Sequence, residues 1–245
     1  MEPLVVACIA GAVFLAGFVQ GVLGFGFGLV AMGLIPLLIG VKAAVPLVAV
    51  FAGSVNLVLL LRFRGNLDAR AAAPLLGGAV LGIPIGVWLL RSLDPSVLML
   101  ALGLIVAGYV ANAVRQGGQV HELGARWGAV LGLAAGVLGG AFSTGGPPAV
   151  VWVSSKPWEP AQLRVTLLSV FVLTSAVQLS LFAFSGMLTR EGLTVNAMAL
   201  PAAGLGSFLG ARTGDRVNPD QFKRMMLGAL GVVALTFVAR GIRGL

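Results

Sequence analysis

Apolar residues fill this chain in long stretches, and polar residues are confined to short connections between them. The apolar runs cover about 4–22, 27–41, 43–61, 71–90, 96–114, 127–141, 147–155, 165–184, 194–211 and 225–239. A helix that crosses a bilayer needs about 20 apolar residues. Eight of these runs meet that length comfortably, and 27–41 and 147–155 fall short of it. Each short run follows a glycine-rich interruption, Gly21 to Gly28 (GVLGFGFG) or Gly136 to Pro148 (GVLGGAFSTGGPP), and the two interruptions lie roughly half a chain apart. The short runs are therefore either re-entrant loops or short half-helices that cross.

The positions of Lys and Arg separate these two arrangements, because basic residues collect on the cytoplasmic side. If both short runs cross, one side holds Arg62, Arg64, Arg70, Arg115, Arg126, Lys156, Arg164, Arg212, Arg216, Lys223 and Arg224, eleven in all, against five on the other: Lys42, Arg91, Arg190, Arg240 and Arg243. If both return, the count is eight against eight. The asymmetric arrangement is preferred, with ten segments and both termini on the periplasmic side.

Five segments per half is an odd number, so related halves would be inserted upside down relative to each other. Internal matches follow one order. GVLGFGFG at Gly21 recurs as GVLGGAFS at Gly136, Val55-Asn56-Leu57 parallels Val177-Gln178-Leu179, Gly82 and Gly86 parallel Gly206 and Gly210, Leu93-Asp94-Pro95 parallels Val217-Asn218-Pro219, and Lys42 parallels Arg164. The expected fold is an all-α integral membrane protein with eight full transmembrane helices plus two short half-helix or re-entrant segments. It is arranged as two inverted repeats with broken helices, 1–116 and 117–245, in a single membrane domain.

Composition supports the class. The chain of 245 residues is 58% hydrophobic and 10% charged, with 36 glycines, where a soluble domain carries about 25% charged residues. The net charge of +8 is scattered singly through the connections, so it reads as a topology signal and no nucleic-acid partner is expected. One cysteine, Cys8, rules out an intrachain disulfide and a cysteine metal cluster, and it reads as a small packing residue.

The candidate chemistry is anion binding. Broken helices in inverted repeats place a substrate near the bilayer midplane. Helix N-termini there offer unpaired N–H groups and partial positive charge. Ser143, Thr144, Gly145 and Gly146 precede Pro147 and Pro148, a helix-start signal, and form a candidate oxyanion cradle together with Gly24, Gly26 and Gly28. Asn56 and Gln178 occupy equivalent repeat positions and are the leading side-chain candidates for the path, with Gln20 just before the first break; interhelical hydrogen bonding is the competing role. Gly82/Gly86, Gly206/Gly210 and Gly132/Gly136 read as helix-packing glycines. Tyr109, Asn112 and Asn196 read as interfacial. All eight carboxylates fall in connections or at the terminus, which argues against a cation site or a carboxylate proton relay. His121 reads as a solvated loop residue. Arg164 either attracts an anion or snorkels. Neither a metal nor a cofactor is expected, and one histidine with one cysteine supplies no catalytic set, so the chain does not read as an enzyme.

GVLGFGFGLVAMGLIPLL at Gly21 to Leu38, GGAFSTGGPPAVVWVSSKPWEPAQLRVT at Gly139 to Thr166 and LGSFLGARTGDRVNP at Leu205 to Pro219 resemble the sulfite exporter TauE/SafE family, also called the 4-toluene sulfonate uptake permease family. The resemblance spans essentially the whole chain. It implies a multi-pass transporter of the bacterial inner membrane for sulfite, sulfoacetate or a related organosulfonate anion, working by alternating access with export as the expected direction. The family's glycine-proline box falls on Gly145 to Pro148 and its following arginine on Arg164, which favours the anion-attracting role. The first break departs from the family's consecutive glycines: Phe25 and Phe27 would narrow that half of the site or add apolar surface, which tells against a small inorganic anion. The expected partners are a small anionic substrate and the lipid bilayer; proton or sodium coupling and a homodimer are compatible with the reading. A passive anion channel and a non-transporting subunit of a membrane complex are the alternatives.

Overall fold

The computed structural model describes residues 2–63, 68–115, 122–213 and 219–244. The repeat boundary at 116–117, Arg64, His121, Asp215, Arg216, Val217 and Asn218 lie outside the described residues, as do the side chains of Tyr109, Asn112, Arg115, Asp220, Lys223 and Arg224. Among the described residues every regular element is a helix: α1 (Pro3–Leu23), α2 (Phe27–Leu34), α3 (Pro36–Ile39), α4 (Val41–Arg62), α5 (Ala69–Ser92), α6 (Pro95–Arg115), α7 (Ala125–Phe142), α8 (Gly146–Ser154), α9 (Pro160–Phe184), α10 (Arg190–Thr213) and α11 (Pro219–Gly244). Proline is the first residue of α1, α3, α6, α9 and α11, where its missing N–H costs nothing. The short run after the first break is itself divided at Pro36, which the apolar pattern alone does not mark. Among the described residues six helices, α1, α4, α5, α7, α9 and α10, are long and apolar enough to cross a membrane.

The helices associate through close backbone approach. Lipid tails give two apolar helices no hydrophobic reason to associate, so small residues that admit close contact dominate such seams. Along α5 and α7 the approach is reciprocal. A Cβ on Gly78, Gly82 or Gly86 would collide with the carbonyls of Ala129, Leu133 and Val137, and one on Gly132, Gly136 or Gly140 with those of Leu75, Ala79 and Ile83. The α1–α10 seam repeats the device, with Gly17 and Gly21 against the Ala203 and Ser207 carbonyls and Gly206 and Gly210 against those of Phe14 and Phe18. All six glycines read as packing residues therefore do pack. A third pair, α6 with α11, closes at Gly103 and Gly241.

Helices α4 and α9 pack on each other and link the two glycine seams, α9 contacting α5 and α4 contacting α10. The buried core runs along this centre, with Phe51 and Phe182 fully enclosed. Large apolar side chains such as Leu81, Phe184 and Leu235 are exposed, as lipid contact requires. Cys8 is exposed on α1 rather than packed. Asn196 is buried, its Nδ2 donating to the Gly192 carbonyl at 3.1 Å.

Charged residues sort to the ends of the bundle. The guanidinium carbons of Arg62 and Arg212 lie 4.6 and 5.7 Å from the centroid of the Phe208 ring, and that of Arg164 lies 4.7 Å from the centroid of Phe63. At the other end of α4, Lys42 Nζ donates to the Arg91 carbonyl at 3.3 Å, and Arg91 reaches Ser185 Oγ at 3.4 Å.

Candidate functional site

Each glycine break reverses the chain. Gly24 caps α1 in the left-handed region (φ 82°), its N–H donating to the Gln20 carbonyl at 2.7 Å, and Gly26 opens α2 at φ 104°. A side chain at either position would pay the left-handed penalty of roughly 1–2 kcal/mol. In the second half Ser143 takes the equivalent place as the C-cap of α7, at φ 51°. It is the one non-glycine residue with positive φ among the described residues, so hydrogen bonds must hold it there. They do: Ser143 Oγ accepts from Gln178 Nε2 at 3.0 Å and donates to the Val45 carbonyl at 3.0 Å.

The two breaks touch. A Cβ on Gly28, in the first break, would run into the Ser143 carbonyl of the second. The contact brings the N-termini of α2 and α8 to one cavity of about 70 Å³. Gln20, Gly26, Gly28, Asn56, Ser143, Thr144, Gly145, Gly146 and Gln178 all line it, while Gly24 and Arg164 do not. The cavity wall also holds Phe27, Leu29, Ala52, Ala79, Ile83, Ala135, Gly136, Gly139, Ala149, Val170, Phe171, Thr174 and Ser175. No charged side chain is among them.

With no charged side chain among the described lining residues, any attraction for an anion here is supplied by backbone. The first N–H groups of a helix have no intrahelical partner. The N–H groups of Gly28, Leu29, Gly145 and Gly146 donate to no acceptor among the described residues. Thr144 adds a hydroxyl at the α8 terminus; the residue is 2% exposed, and its Oγ1 has no protein partner.

Side-chain amides complete the lining, and backbone groups dictate which way each one points. The Phe27 N–H donates to Gln20 Oε1 at 3.0 Å, so the other end of that amide must be Nε2. Nε2 reaches Asn56 Oδ1 at 2.6 Å and the Gly24 carbonyl at 3.3 Å. Asn56 is thereby left with Nδ2, a donor, unengaged on the cavity side. Across the cavity Gln178 Nε2 is held by the Gly139 carbonyl at 2.8 Å and by Ser143 Oγ, which leaves Oε1, an acceptor, unengaged.

Three sequence candidates thus sit differently from the rest: Gly24, which caps α1 outside the cavity, Arg164 and Ser143. Arg164 lies beside the Gly24 backbone, which a built Cβ would approach to 3.2 Å of its Nε, and stacks on Phe63 at one end of the bundle. The Ser143 hydroxyl is engaged with Val45 and Gln178 rather than open. Phe27 does line the cavity, as its place in the break suggests, and Phe25 does not. Thr174 and Ser175 join the site residues in the structure. Their spacing of four and three residues before Gln178 puts them on its helix face, a signal the sequence carries once Gln178 is placed. Among the described residues no three His, Cys, Asp or Glu side chains gather as a metal site would require.

A family model described as sulfite exporter TauE/SafE matches residues 9–237. The chain is 29% identical over 224 residues to a Cupriavidus necator (strain H16) protein described as "Probable sulfite/organosulfonate exporter TauE", an alignment covering 87% of this chain and 86% of the relative. No solved structure matches the chain.

Proposed function

The chain belongs to the sulfite exporter TauE/SafE family, a family of membrane transporters, and from that premise we propose that it carries a small sulfur-containing oxyanion or organosulfonate out of the cell by alternating access. The observation that carries the proposal is the meeting of two half-helix N-termini at one cavity that no charged side chain lines among the described residues. Four unpartnered backbone donors belong to residues that line this cavity between apolar helices, and an oxyanion is the ligand class that such donors satisfy. The description of the Cupriavidus necator relative supports a sulfur anion in particular.

The carrier is proposed to be two inverted repeats with eight full spans and two broken segments in the bacterial inner membrane, both termini periplasmic. Exchanging α1 with α7, α2 with α8, α4 with α9, α5 with α10 and α6 with α11 turns the α1–α10 seam into the α7–α5 seam. It also returns the α4–α9 and α6–α11 pairs to themselves. The clustering of Arg62, Arg164 and Arg212 at one end, away from Lys42 and Arg91, agrees with short runs that cross. In this scheme the two glycine seams move as rigid pairs about α4 and α9. The breaks, where α2 and α8 begin, expose the cavity to one side and then the other.

Asn56 and the Thr144 hydroxyl bind the anion with the backbone donors, Gln178 shapes selectivity, and Gly24 holds the turn. Arg164, outside the cavity, raises the local anion concentration at its end of the bundle. Purified Asn56→Ala and Gln178→Ala variants test the assignment. Each should keep its fold by circular dichroism and gel filtration and lose most transport in liposomes; wild-type transport in both would remove these residues from the site.

A further inference from the structure

The same cavity carries information about the protonation state of its ligand, an inference that rests on the proposed anion site. Its positive field is small and countable. Each helix N-terminus is equivalent to roughly +0.5 elementary charge, so α2 and α8 together balance at most about one negative charge, the α1 and α7 C-termini at the same breaks working against them. Among the described residues no Lys, Arg or His lines the cavity to balance a second.

Its hydrogen-bonding groups are not all donors either. The relay from Phe27 N–H through Gln20 turns Asn56 Nδ2 inward as a donor. The Gly139 carbonyl, which can only accept, forces the opposite polarity on Gln178 and leaves Oε1 as an acceptor on the wall. Neither amide can flip without setting like groups against each other. Thr144 also lines the cavity, and its buried, unpartnered Oγ1 can donate or accept once it turns to a ligand. A fully ionised dianion would meet Gln178 Oε1 with lone pairs only, whereas a ligand with its own O–H satisfies both sides.

We propose that the cavity selects a monoanionic sulfur oxyanion that carries a hydrogen-bond donor, the hydrogen form of sulfite or a hydroxyalkanesulfonate, over the sulfite dianion and over alkanesulfonates without a hydroxyl. Carriage of hydrogen sulfite moves one proton with each anion and needs no acid within the membrane spans.

The test is titration calorimetry on the purified full-length chain in detergent, with 2-hydroxyethanesulfonate and propane-1-sulfonate as probes matched in size and charge. One neutral hydrogen bond in a cavity open to water corresponds to a preference of up to about tenfold, and the hydroxyl ligand should bind about five- to tenfold more tightly. In Gln178→Met that ratio should fall to about one. A ratio near one in the wild type, or a ratio that survives Gln178→Met, overturns the inference while leaving the anion site standing. Sulfite supplies a readout without a variant. Its apparent affinity should fall about tenfold per pH unit above its second ionisation, in step with the hydrogen sulfite fraction, and a flat profile overturns the inference. No binding of any probe by folded protein overturns the anion site itself, and the inference with it.

Discussion

Gln20→Met is the most direct probe of how the first break is built. Gln20 is 2% exposed, and Met fills nearly the same volume, so no cavity opens and the effect reports hydrogen bonds alone. The substitution removes the Gln20 Nε2 to Asn56 Oδ1 bond of 2.6 Å between α1 and α4 and the acceptor that caps the Phe27 N–H at 3.0 Å. Interhelical side-chain bonds in membrane proteins average about 0.6 kcal/mol and reach about 1.7; a short, fully buried pair belongs near the upper value. Losing a helix N-cap typically costs about 1 kcal/mol. The 3.3 Å contact to the Gly24 carbonyl is long and adds little. A destabilisation of about 2–3 kcal/mol follows, read as a lowered midpoint in reversible denaturant unfolding in mixed micelles. Function should suffer further, because Asn56 loses the partner that turns Nδ2 inward. Sulfonate affinity measured where the variant is fully folded should fall about tenfold, the worth of one hydrogen bond to a charged ligand. A variant as stable as the wild type, or a folded one with wild-type affinity, would refute the relay from Phe27 through Gln20 to Asn56.

Thr144→Val removes a hydroxyl with no protein partner, so stability should hold or rise slightly while affinity falls several-fold; isothermal titration alongside a melt separates the two, and a loss of stability alone would assign Thr144 to packing. Gly136→Ala sets a methyl against the Ala79 carbonyl and should destabilise by about 1–3 kcal/mol, whereas Gly77→Ala, with open space around it, should be neutral or stabilising by thermal melt. Arg164→Gln should slow transport at low ionic strength and progressively less as salt is added, because its proposed role is long-range attraction that salt screens; a deficit independent of salt would point instead to its stack on Phe63.

Much of this architecture is legible from hydropathy because the bilayer makes it so. Each of the ten apolar runs became helix, and both breaks fall where glycine and proline interrupt the apolar sequence. Asn56, Gln178 and Gln20 were recognisable as rare polar residues within spans, and all three line the cavity. Other features depend on partners distant in sequence. That the Ser143 hydroxyl is tied to Val45, 98 positions away, cannot be read locally. The same holds for the direction of each amide, set for Gln178 by a carbonyl on another helix. Arg164 follows the glycine-proline box in sequence, yet the reversal through α8 carries it to one end of the bundle, beside Gly24 instead of within the cavity. The positions of the packing glycines suggested close seams, but which helix each would meet followed only from the fold.

Anion flux into proteoliposomes holding the purified chain tests the central claim, with sulfite, sulfoacetate, 4-toluenesulfonate and acetate compared with and without a pH gradient. The account predicts saturable flux of a small sulfur anion that Thr144→Val and Asn56→Ala both weaken. Flux that rises linearly without saturation, or no flux of any anion from folded protein, would contradict a carrier built on the paired N-termini of α2 and α8.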